Sequence, residues 1–217
     1  MLSLTEENYL KAIYHLSDGG TKSVLTNEIA ESIQTKPASV TDMVKKLAVK
    51  NLITYEKYYG VKVTKQGKAH ALSIIRKHRL WETFLVEKLG FDWGQVHDVA
   101  EQLEHIQSPL LIEKLDEFLG FPSADPHGHP IPDKNGKFHV MRQIALAEAS
   151  DKKVVMRAVR NSSPAFLDYL SKQGIYIGAT VKILERMEFD GSLEIMIDGK
   201  KKVYISKEAS ENILVTE

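Results

Sequence analysis

The hydrophobic pattern of residues 26–64 restricts the fold more than any other part of this 217-residue chain. Thr26-Asn27 caps a predicted short helix, a tight turn follows that helix, and Pro37 stands in the first turn of a second helical pattern. The last thirteen residues of the stretch alternate between apolar and polar positions around a turn at Tyr59-Gly60. A short helix, a turn, a polar-faced helix and a hairpin together predict a winged helix-turn-helix.

Further helices and strands are predicted on both sides of this stretch. Thr5 followed by Glu6 and Glu7 predicts a capped first helix that ends near Gly19. The other predicted elements are a long helix from Thr64 to about Leu89, a helix from about Asp92 to Gln107, a short helix at 161–170, and strands at 181–187, 193–197 and 202–205. The expected fold is therefore mainly helical, with a small amount of β structure.

Positive and negative side chains are segregated along a chain whose formal net charge is zero. Residues 36–79 hold eleven Lys and Arg against two acidic residues, a balance of +9. Residues 80–133 hold two Lys against eleven acidic residues, a balance of −9, together with four of the eight histidines. The basic stretch suits a phosphate backbone and the acidic stretch suits a cation, although two solvated charged surfaces would give the same pattern.

The second helix of the predicted motif and the hairpin carry the side chains that we expect to contact DNA. Their hydroxyls can bond base edges or phosphate, their lysines can bind phosphate, and Asp42 can accept from a cytosine amino group. The expected DNA-binding residues are Lys36, Ser39, Thr41, Asp42, Lys45, Lys46, Lys57 and Lys62. A winged helix that binds a protein partner is the alternative interpretation.

Histidine and glutamate recur at helical spacing in the acidic stretch and just before it. The spaced residues are His78, Glu82, His97, Glu101, Glu104 and His105. The first two fall at i and i+4 on the predicted long helix, and the last four fall at i, i+4, i+7 and i+8 on the next helix. A single pair of this kind is usually an ion pair, but burying six such groups without a cation would leave uncompensated carboxylates. The pattern therefore predicts a divalent metal site.

The composition excludes several other classes of protein. The sequence contains no cysteine, so disulfides, thiolate zinc sites and iron–sulfur clusters are excluded. It has no run of about 18 apolar residues, and its amino terminus reads as an amphipathic helix rather than as a signal peptide. A cytoplasmic location without a membrane partner is expected.

Five segments resemble the diphtheria toxin repressor (DtxR/MntR) family of iron- and manganese-dependent transcriptional regulators. They are KPASVTDMVKKL, LITYEKYYGVKVT, RKHRLWETFL, VHDVAEQLEHIQS and PHGHPIP, and the resemblance covers about residues 1–133. It implies a winged helix-turn-helix DNA-binding domain over 1–70 and a helical dimerisation and metal-binding domain over 71–133. A linker over 134–160 and an SH3-like (FeoA-like) β-barrel over 161–217 would follow.

The resemblance also implies which residues bind metal. The ancillary site is matched by His78, Glu82 and His97, and the site that governs activation by Glu101, Glu104 and His105. A residue of the first helix completes the activating site in the family, where this chain has Asn8, with Glu7 as a substitute. Some manganese-type relatives have secondary-site ligands at the positions of Asp125 and His127.

The ligand types bear on the identity of the metal. Iron-type members of the family usually have Cys where this chain has Glu101, and manganese-type members have Glu. Hard oxygen ligands without sulfur fit Mn²⁺ better than Fe²⁺, so Mn²⁺ is the expected cofactor and Fe²⁺ the alternative. Zn²⁺, Co²⁺ and Ni²⁺ would bind such a site more tightly in vitro.

The resemblance implies a metal-dependent repressor of metal-uptake genes, which binds double-stranded DNA as a homodimer. Two-fold symmetry implies a palindromic operator. The dimer contact is expected around Leu103, Ile106, Leu110, Leu111, Leu115 and Phe118. No small-molecule substrate is expected.

Two other functions are compatible with parts of the pattern. A binuclear metallohydrolase with Glu82 or Glu101 as base would need an open coordination position and a substrate pocket, and the sequence indicates neither. A winged-helix regulator that needs no metal would use the His/Glu pattern as a ladder of ion pairs.

Overall fold

The structure is a computed structural model that describes residues 2–56, 58–138, 142–150 and 153–216. It divides into two compact units. The first unit comprises Met1–His78, Glu101–Ile112 and Pro132–Phe138, and the second comprises Arg79–Ala100, Glu113–Ile131 and His139–Glu217. No helix in the described part of the chain combines the length and the apolar character that a membrane span requires.

Three helices come first along the chain, followed by a β-hairpin and three more helices. The strands of the sheet come last, with two further helices between them. The helices are α1 (Leu4–Leu16), α2 (Thr26–Ser32), α3 (Pro37–Val49), α4 (Lys65–Leu89), α5 (His97–Leu103), α6 (Pro109–Phe118), α7 (Pro164–Gln173) and α8 (Lys207–Asn212), with a 3₁₀ turn at Leu146–Glu148. The strands are β1 (Ile53–Glu56), β2 (Gly60–Val63), β3 (Ile144–Ala145), β4 (Lys153–Val159), β5 (Thr180–Arg186), β6 (Leu193–Ile197), β7 (Lys201–Ile205) and β8 (Ile213–Thr216). Because of where the units divide, α4, α5 and α6 contribute residues to both.

The first unit contains the predicted winged helix-turn-helix. Helices α1, α2 and α3 bury a common core that includes Leu10, Ile13, Ile29, Val44 and Leu47. Ala71, Leu72 and Ile75 of α4 add to this core. Strands β1 and β2 pair antiparallel, as the alternating pattern predicts. Val40, Val44 and Leu47 of α3 face this core and most of its polar positions face outward, because the helical period places them on opposite sides.

Two predicted helix starts are wrong. Ser3, not Thr5, caps α1, because its hydroxyl accepts from the Glu6 amide and the Glu6 carboxylate accepts from the Ser3 amide, which completes a capping box. Thr26 is the first residue of α2 rather than its cap. The carboxylate of Glu28 accepts from the Leu25 amide instead, at 2.6 Å.

The predicted helix from Asp92 to Gln107 is much shorter in the structure. Only His97–Leu103 is helical, because the Asp92 carboxylate accepts from the Gly94 amide and holds a turn before the helix. Pro109 starts the next helix and disfavours helical geometry in the residue before it. Glu104 and His105 therefore follow α5 in a turn, and the four spaced residues do not share one helical face.

The second unit contains an antiparallel sheet of six strands in the order β3-β8-β4-β5-β6-β7. Its apolar side chains, with those of α7, form one core that includes Met156, Leu170 and Ile195. This confirms the predicted C-terminal SH3-like β domain. The sheet also uses β3 and β4, which lie in the stretch predicted as linker, and β8, which the sequence pattern did not predict; the exact domain limits stay a prediction.

A close backbone contact joins α4 to the hairpin. A Cβ atom on Gly67 would lie 1.9 Å from the carbonyl oxygen of Leu52. Alanine usually stabilises a helix relative to glycine, by about 1 kcal/mol. Here we expect the opposite sign: Gly67→Ala should lower the free energy of unfolding by about 1–3 kcal/mol, because the hairpin has to move away. Urea denaturation measures this, and a variant more stable than the parent chain would contradict the contact.

Candidate metal centre and nucleic-acid interface

A cluster of charged side chains lies within the first unit, and we call it the Glu104 cluster. Its members are Glu7 and Lys11 from α1, Lys77 and His78 from α4, Glu101 from α5, and Glu104 and His105 from the turn after α5. Glu104 is fully buried, and Glu7 and His78 are almost fully buried. Carboxylates buried to this extent need positive partners.

Both oxygens of Glu104 are occupied by positive or proton-donating groups. The Lys11 ammonium donates to them at 2.6 and 2.8 Å, and Nδ1 of His78 donates to Oε2 at 2.6 Å. Burial alone raises the pKa of Glu104, but the His78 hydrogen bond and the Lys11 charge outweigh it and hold the pKa below its usual value. Glu104 is therefore an ionised carboxylate in a buried place.

The first helix reaches His105 through Glu7 rather than through Asn8. Nδ1 of His105 donates to Glu7 Oε2 at 2.5 Å, and Gln107 donates to Glu7 Oε1 at 2.7 Å. Asn8 is exposed and lines a cavity that Glu101 also lines. Neighbouring helical residues point about 100° apart, and on α1 Glu7 faces inward while Asn8 faces outward.

Two lysines of the Glu104 cluster were missed in the sequence. Lys11 follows Glu7 by four residues, a helical spacing that places both on one face of α1. Lys77 is 8% exposed; its burial lowers its pKa, and the charges of Glu7 and Glu104 act in the opposite direction. The pattern His-x-x-x-Glu predicts possible metal ligands, but it does not predict the lysines that neutralise them.

In the second unit, the buried Glu82 on α4 lies between two imidazoles. Nδ1 of His97 is 3.6 Å from Oε1 of Glu82, and Nδ1 of His127 is 3.7 Å from Oε2. His78, which belongs to the first unit, precedes Glu82 by one turn of α4. The structure thus brings Glu82, His97 and His127 together, and their role as ligands stays a prediction.

The loop after α6 adds three possible ligands that lie within 4.8 Å of one another: Asp125, His127 and His129. Nε2 of His127 donates to the Trp93 carbonyl at 2.7 Å, and Nε2 of His129 donates to the Val159 carbonyl at 3.0 Å. Both rings therefore turn Nδ1 toward Asp125, at 3.8 and 3.3 Å. His129 was missed in the sequence, although it stands two residues after His127 in the same PHGHP segment. We call these three residues, with Glu82 and His97, the Glu82 cluster.

The surroundings of the Glu82 cluster fix the geometry of the loop. A Cβ atom on Gly128 would lie 1.9 Å from the Arg157 carbonyl oxygen, so only glycine fits between the two histidines. Burial alone lowers the pKa of His127, but Glu82 and Asp125 outweigh it and raise the pKa above its usual value.

The chemistry of both clusters fits a divalent metal. Carboxylate oxygen and imidazole nitrogen are the ligands of Mn²⁺, Fe²⁺ and Zn²⁺ sites that lack sulfur. A histidine that binds metal usually donates its other ring N–H to a carbonyl or carboxylate. His127 and His129 make this hydrogen bond with carbonyls, which leaves Nδ1 available as a ligand atom.

Most of the predicted DNA-binding side chains are exposed on α3, at its amino end and on β2. The exposed residues are Lys36, Ser39, Asp42, Lys45, Lys46 and Lys62. Thr41 is partly buried, and its hydroxyl donates to the Pro37 carbonyl at 3.1 Å. Lys57 lies outside the described residues. Next to it, the Tyr58 and Tyr59 side chains are 84% and 76% exposed, so the tip of the hairpin offers two aromatic rings to a partner.

The predicted dimer contact contains an exposed apolar face. Leu110, Leu111 and Phe118 of α6 are 66%, 40% and 64% exposed. Leu115 is buried within the chain, and Leu103 and Ile106 are half-buried. Three of the six predicted residues are thus exposed on the surface of the chain.

Three family models match the chain, one after another. Residues 1–61 match the N-terminal DNA-binding domain of iron dependent repressors, residues 64–133 match their metal binding and dimerisation domain, and residues 145–217 match the FeoA domain.

Full-length relatives and solved structures match as well. A manganese-dependent transcriptional repressor solved in complex with manganese is 33% identical, with a TM-score of 0.86 over 97% of this chain and 99% of that one. ScaR with bound Zn²⁺ is 33% identical, with a TM-score of 0.75 over 98% and 99% of the two chains. The iron-dependent repressor IdeR of Mycobacterium leprae (strain TN) is 27% identical over 226 residues, which cover 97% of this chain and 96% of that protein.

These relatives are regulators rather than enzymes, which decides against a metallohydrolase. The family binds DNA and divalent metals, among which manganese, zinc and cadmium occur in solved structures. The predicted family and class of function are confirmed. The chain belongs to the diphtheria toxin repressor family and is a metal-dependent, DNA-binding transcriptional repressor.

Proposed function

We propose that this protein is a homodimeric repressor that Mn²⁺ activates and that binds a palindromic operator at metal-uptake genes. One observation carries the proposal: within the first unit, Glu7 of α1 meets His105, beside the buried carboxylate of Glu104. Helix α1 shares its core with α2 and α3. A cation held by these residues would therefore act on the helices that contact DNA. Because the target is chromosomal DNA, we place the protein in the cytoplasm.

The activating site would use Glu7, Glu104 and His105, with Glu101 nearby. Glu7 is the better candidate from α1, because it is buried and already contacts His105. Asn8 could add its amide oxygen from the neighbouring cavity that it lines with Glu101. A bound dication would offset the repulsion among these carboxylates and join α1 to the turn after α5.

The second site would use the Glu82 cluster. Glu82 and His97 match the ancillary ligands, with His78 one turn earlier on α4. Asp125 and His127 would contribute from the loop after α6, where the His127 ring already turns Nδ1 toward Asp125. Three imidazoles and two carboxylates make this site more favourable to Zn²⁺ than the Glu104 cluster is.

Manganese is the metal that we propose for activation. The Glu104 cluster offers three carboxylates and contains no sulfur, which suits Mn²⁺. The manganese-bound repressor noted above is 33% identical over nearly the whole chain. Fe²⁺ is the alternative, because IdeR is an iron-dependent repressor.

Activation would follow from linkage. If the metal binds the DNA-competent arrangement of α1–α3 more tightly than other arrangements, it shifts the population toward that arrangement. DNA must then raise the affinity for metal by the same factor.

Selection of duplexes from a random library tests the proposed operator symmetry. Protein loaded with Mn²⁺ should enrich two inverted half-sites about one helical turn apart, because each subunit presents one α3 helix. Enrichment of a single half-site would contradict the proposed dimer on a palindrome, and failure to enrich any sequence would contradict the proposed DNA recognition.

The exposed lysines of α3 should set the salt dependence of binding. We expect Lys46→Ala to weaken binding about equally on all duplexes and to reduce the slope of log K against log salt by about one per subunit. Lys172→Ala is the control, since Lys172 is 73% exposed on the second unit and pairs with Asp168. Fluorescence anisotropy at several salt concentrations measures both slopes. An unchanged slope for Lys46→Ala would contradict the placement of Lys46 at the DNA interface.

A further inference from the structure

We propose that Lys11 competes with the activating dication for Glu104 and Glu101, so that this lysine sets the metal concentration at which the site fills. The inference rests on the proposed function, because it concerns the regulation of the same site. It assigns a role to a residue that is not itself a ligand.

The geometry places the Lys11 ammonium among the oxygens that a metal would need. Nζ lies 2.6 and 2.8 Å from the two oxygens of Glu104 and 3.2 Å from Oε1 of Glu101. The Lys11 side chain is only 14% exposed, and that of Glu104 is fully buried. The lysine thus bridges two of the predicted ligands inside the first unit.

An ammonium and a dication cannot share these oxygens closely. Lys11 has three N–H donors, and the three contacts with Glu104 and Glu101 use them. A metal bound to the same carboxylates would lie within a few ångström of Nζ, where like charges repel strongly in a buried place. Metal binding therefore requires the ammonium to withdraw toward solvent, which its flexible stem allows.

The exchange replaces one cation by another. With Lys11 in place, the buried Glu104 carboxylate is already compensated, so a metal gains only the difference between the two interactions. Lys77, which is also buried, adds positive charge close to Glu7 and Glu104. Both lysines lower the affinity for a dication, but Lys11 is the one in hydrogen-bond contact with Glu104 and Glu101.

Calorimetric titration with Mn²⁺ tests the proposal. Every protein in the test carries Glu82→Gln and Asp125→Asn, which remove both carboxylates of the second proposed site, so that differences in heat between the variants report the Glu104 cluster. We expect Lys11→Met to lower the Kd for Mn²⁺ at least about tenfold, because the metal no longer displaces a charged hydrogen bond.

Lys50→Met in the same background is the matched control. Lys50 pairs with Glu6 at 2.6 Å, the same distance as the Lys11–Glu104 pair, but Glu6 is not a proposed ligand. The Kd of the Lys50→Met variant for Mn²⁺ should stay within about twofold of the parent value if the effect of a lysine requires contact with a metal ligand. A tenfold change in this control as well would overturn the role of contact in the proposal.

A second measurement covers the case in which Lys11→Met is unstable without metal. The rise in Tm that saturating Mn²⁺ produces should be larger for Lys11→Met than for the parent and for Lys11→Arg, which keeps the charge. Equal or weaker Mn²⁺ binding by Lys11→Met, or an equal or smaller rise in its Tm, would overturn the inference. Failure of the parent itself to bind Mn²⁺ would overturn the proposed activating site instead.

Discussion

Glu104→Gln is expected to abolish Mn²⁺-dependent operator binding and to weaken Mn²⁺ binding at the Glu104 cluster at least about a hundredfold. The glutamine keeps the size of the side chain but removes the charge. Glu104 is fully buried and contacts Lys11 and His78. The substitution therefore removes the negative charge at the centre of the cluster. Calorimetry with Mn²⁺ and a gel-shift titration on the selected duplex measure the two effects.

Glu6→Gln is the control for this prediction. Glu6 is also a buried carboxylate of the first unit, it also pairs with a lysine, and glutamine can keep its capping box. We expect this control to respond to Mn²⁺ like the parent. If Glu104→Gln responds normally as well, the cluster does not contain the activating site. Circular dichroism establishes that both variants keep their helices.

Leu110→Asp is expected to dissociate the proposed dimer and to weaken operator binding at least about a hundredfold. Leu110 is 66% exposed on α6, so the substitution removes little packing within the chain. In a dimer that uses this face, it would bury an unpaired carboxylate. A monomer reads one half-site and loses the gain in effective concentration that two linked half-sites provide.

Sedimentation velocity measures the change in mass, and anisotropy on the selected duplex measures the change in affinity. Phe189→Asp is the control, because Phe189 is fully exposed in the turn between β5 and β6. This control should remain dimeric. If the Leu110→Asp protein sediments like the parent, the dimer contact does not use this face of α6.

The winged helix-turn-helix could be predicted because its signals are local. Pro37 marks the start of α3, and the apolar residues of α3 follow one helical period. The hairpin follows from the alternation of apolar and polar residues within β1 and within β2. The shortening of α5 could not be predicted from period alone, because Asp92 and Gly94 form a turn in which a side chain replaces the helical hydrogen bonds.

The candidate site was predictable in its anions and imidazoles but not in its cations. The spacing of His97, Glu101 and Glu104 predicts one helical face, but only the first two of these residues lie in α5. Lys11 has no motif of its own, and its contact with Glu104 joins residues 93 positions apart. Such a contact depends on how α1 packs, which a periodic pattern does not contain.

The ligand from the first helix, Glu7 or Asn8, is a second case in which the contacts of a side chain could not be predicted from the sequence. The resemblance to the family points to Asn8, because the matching position carries the ligand in relatives. In the structure the neighbouring residue, Glu7, meets His105 and Gln107. A shift of one residue turns a helical side chain by about 100°, so alignment alone is a weak guide to which side chain faces inward.

Measuring operator affinity with and without metal shows whether the dication controls DNA binding. The selected duplex is titrated with protein that has been stripped by a chelator and with the same protein after addition of Mn²⁺. We expect at least about hundredfold tighter binding with Mn²⁺, which corresponds to a coupling of about 2.7 kcal/mol. Stripped protein that binds the duplex as tightly and as selectively as loaded protein would contradict the account.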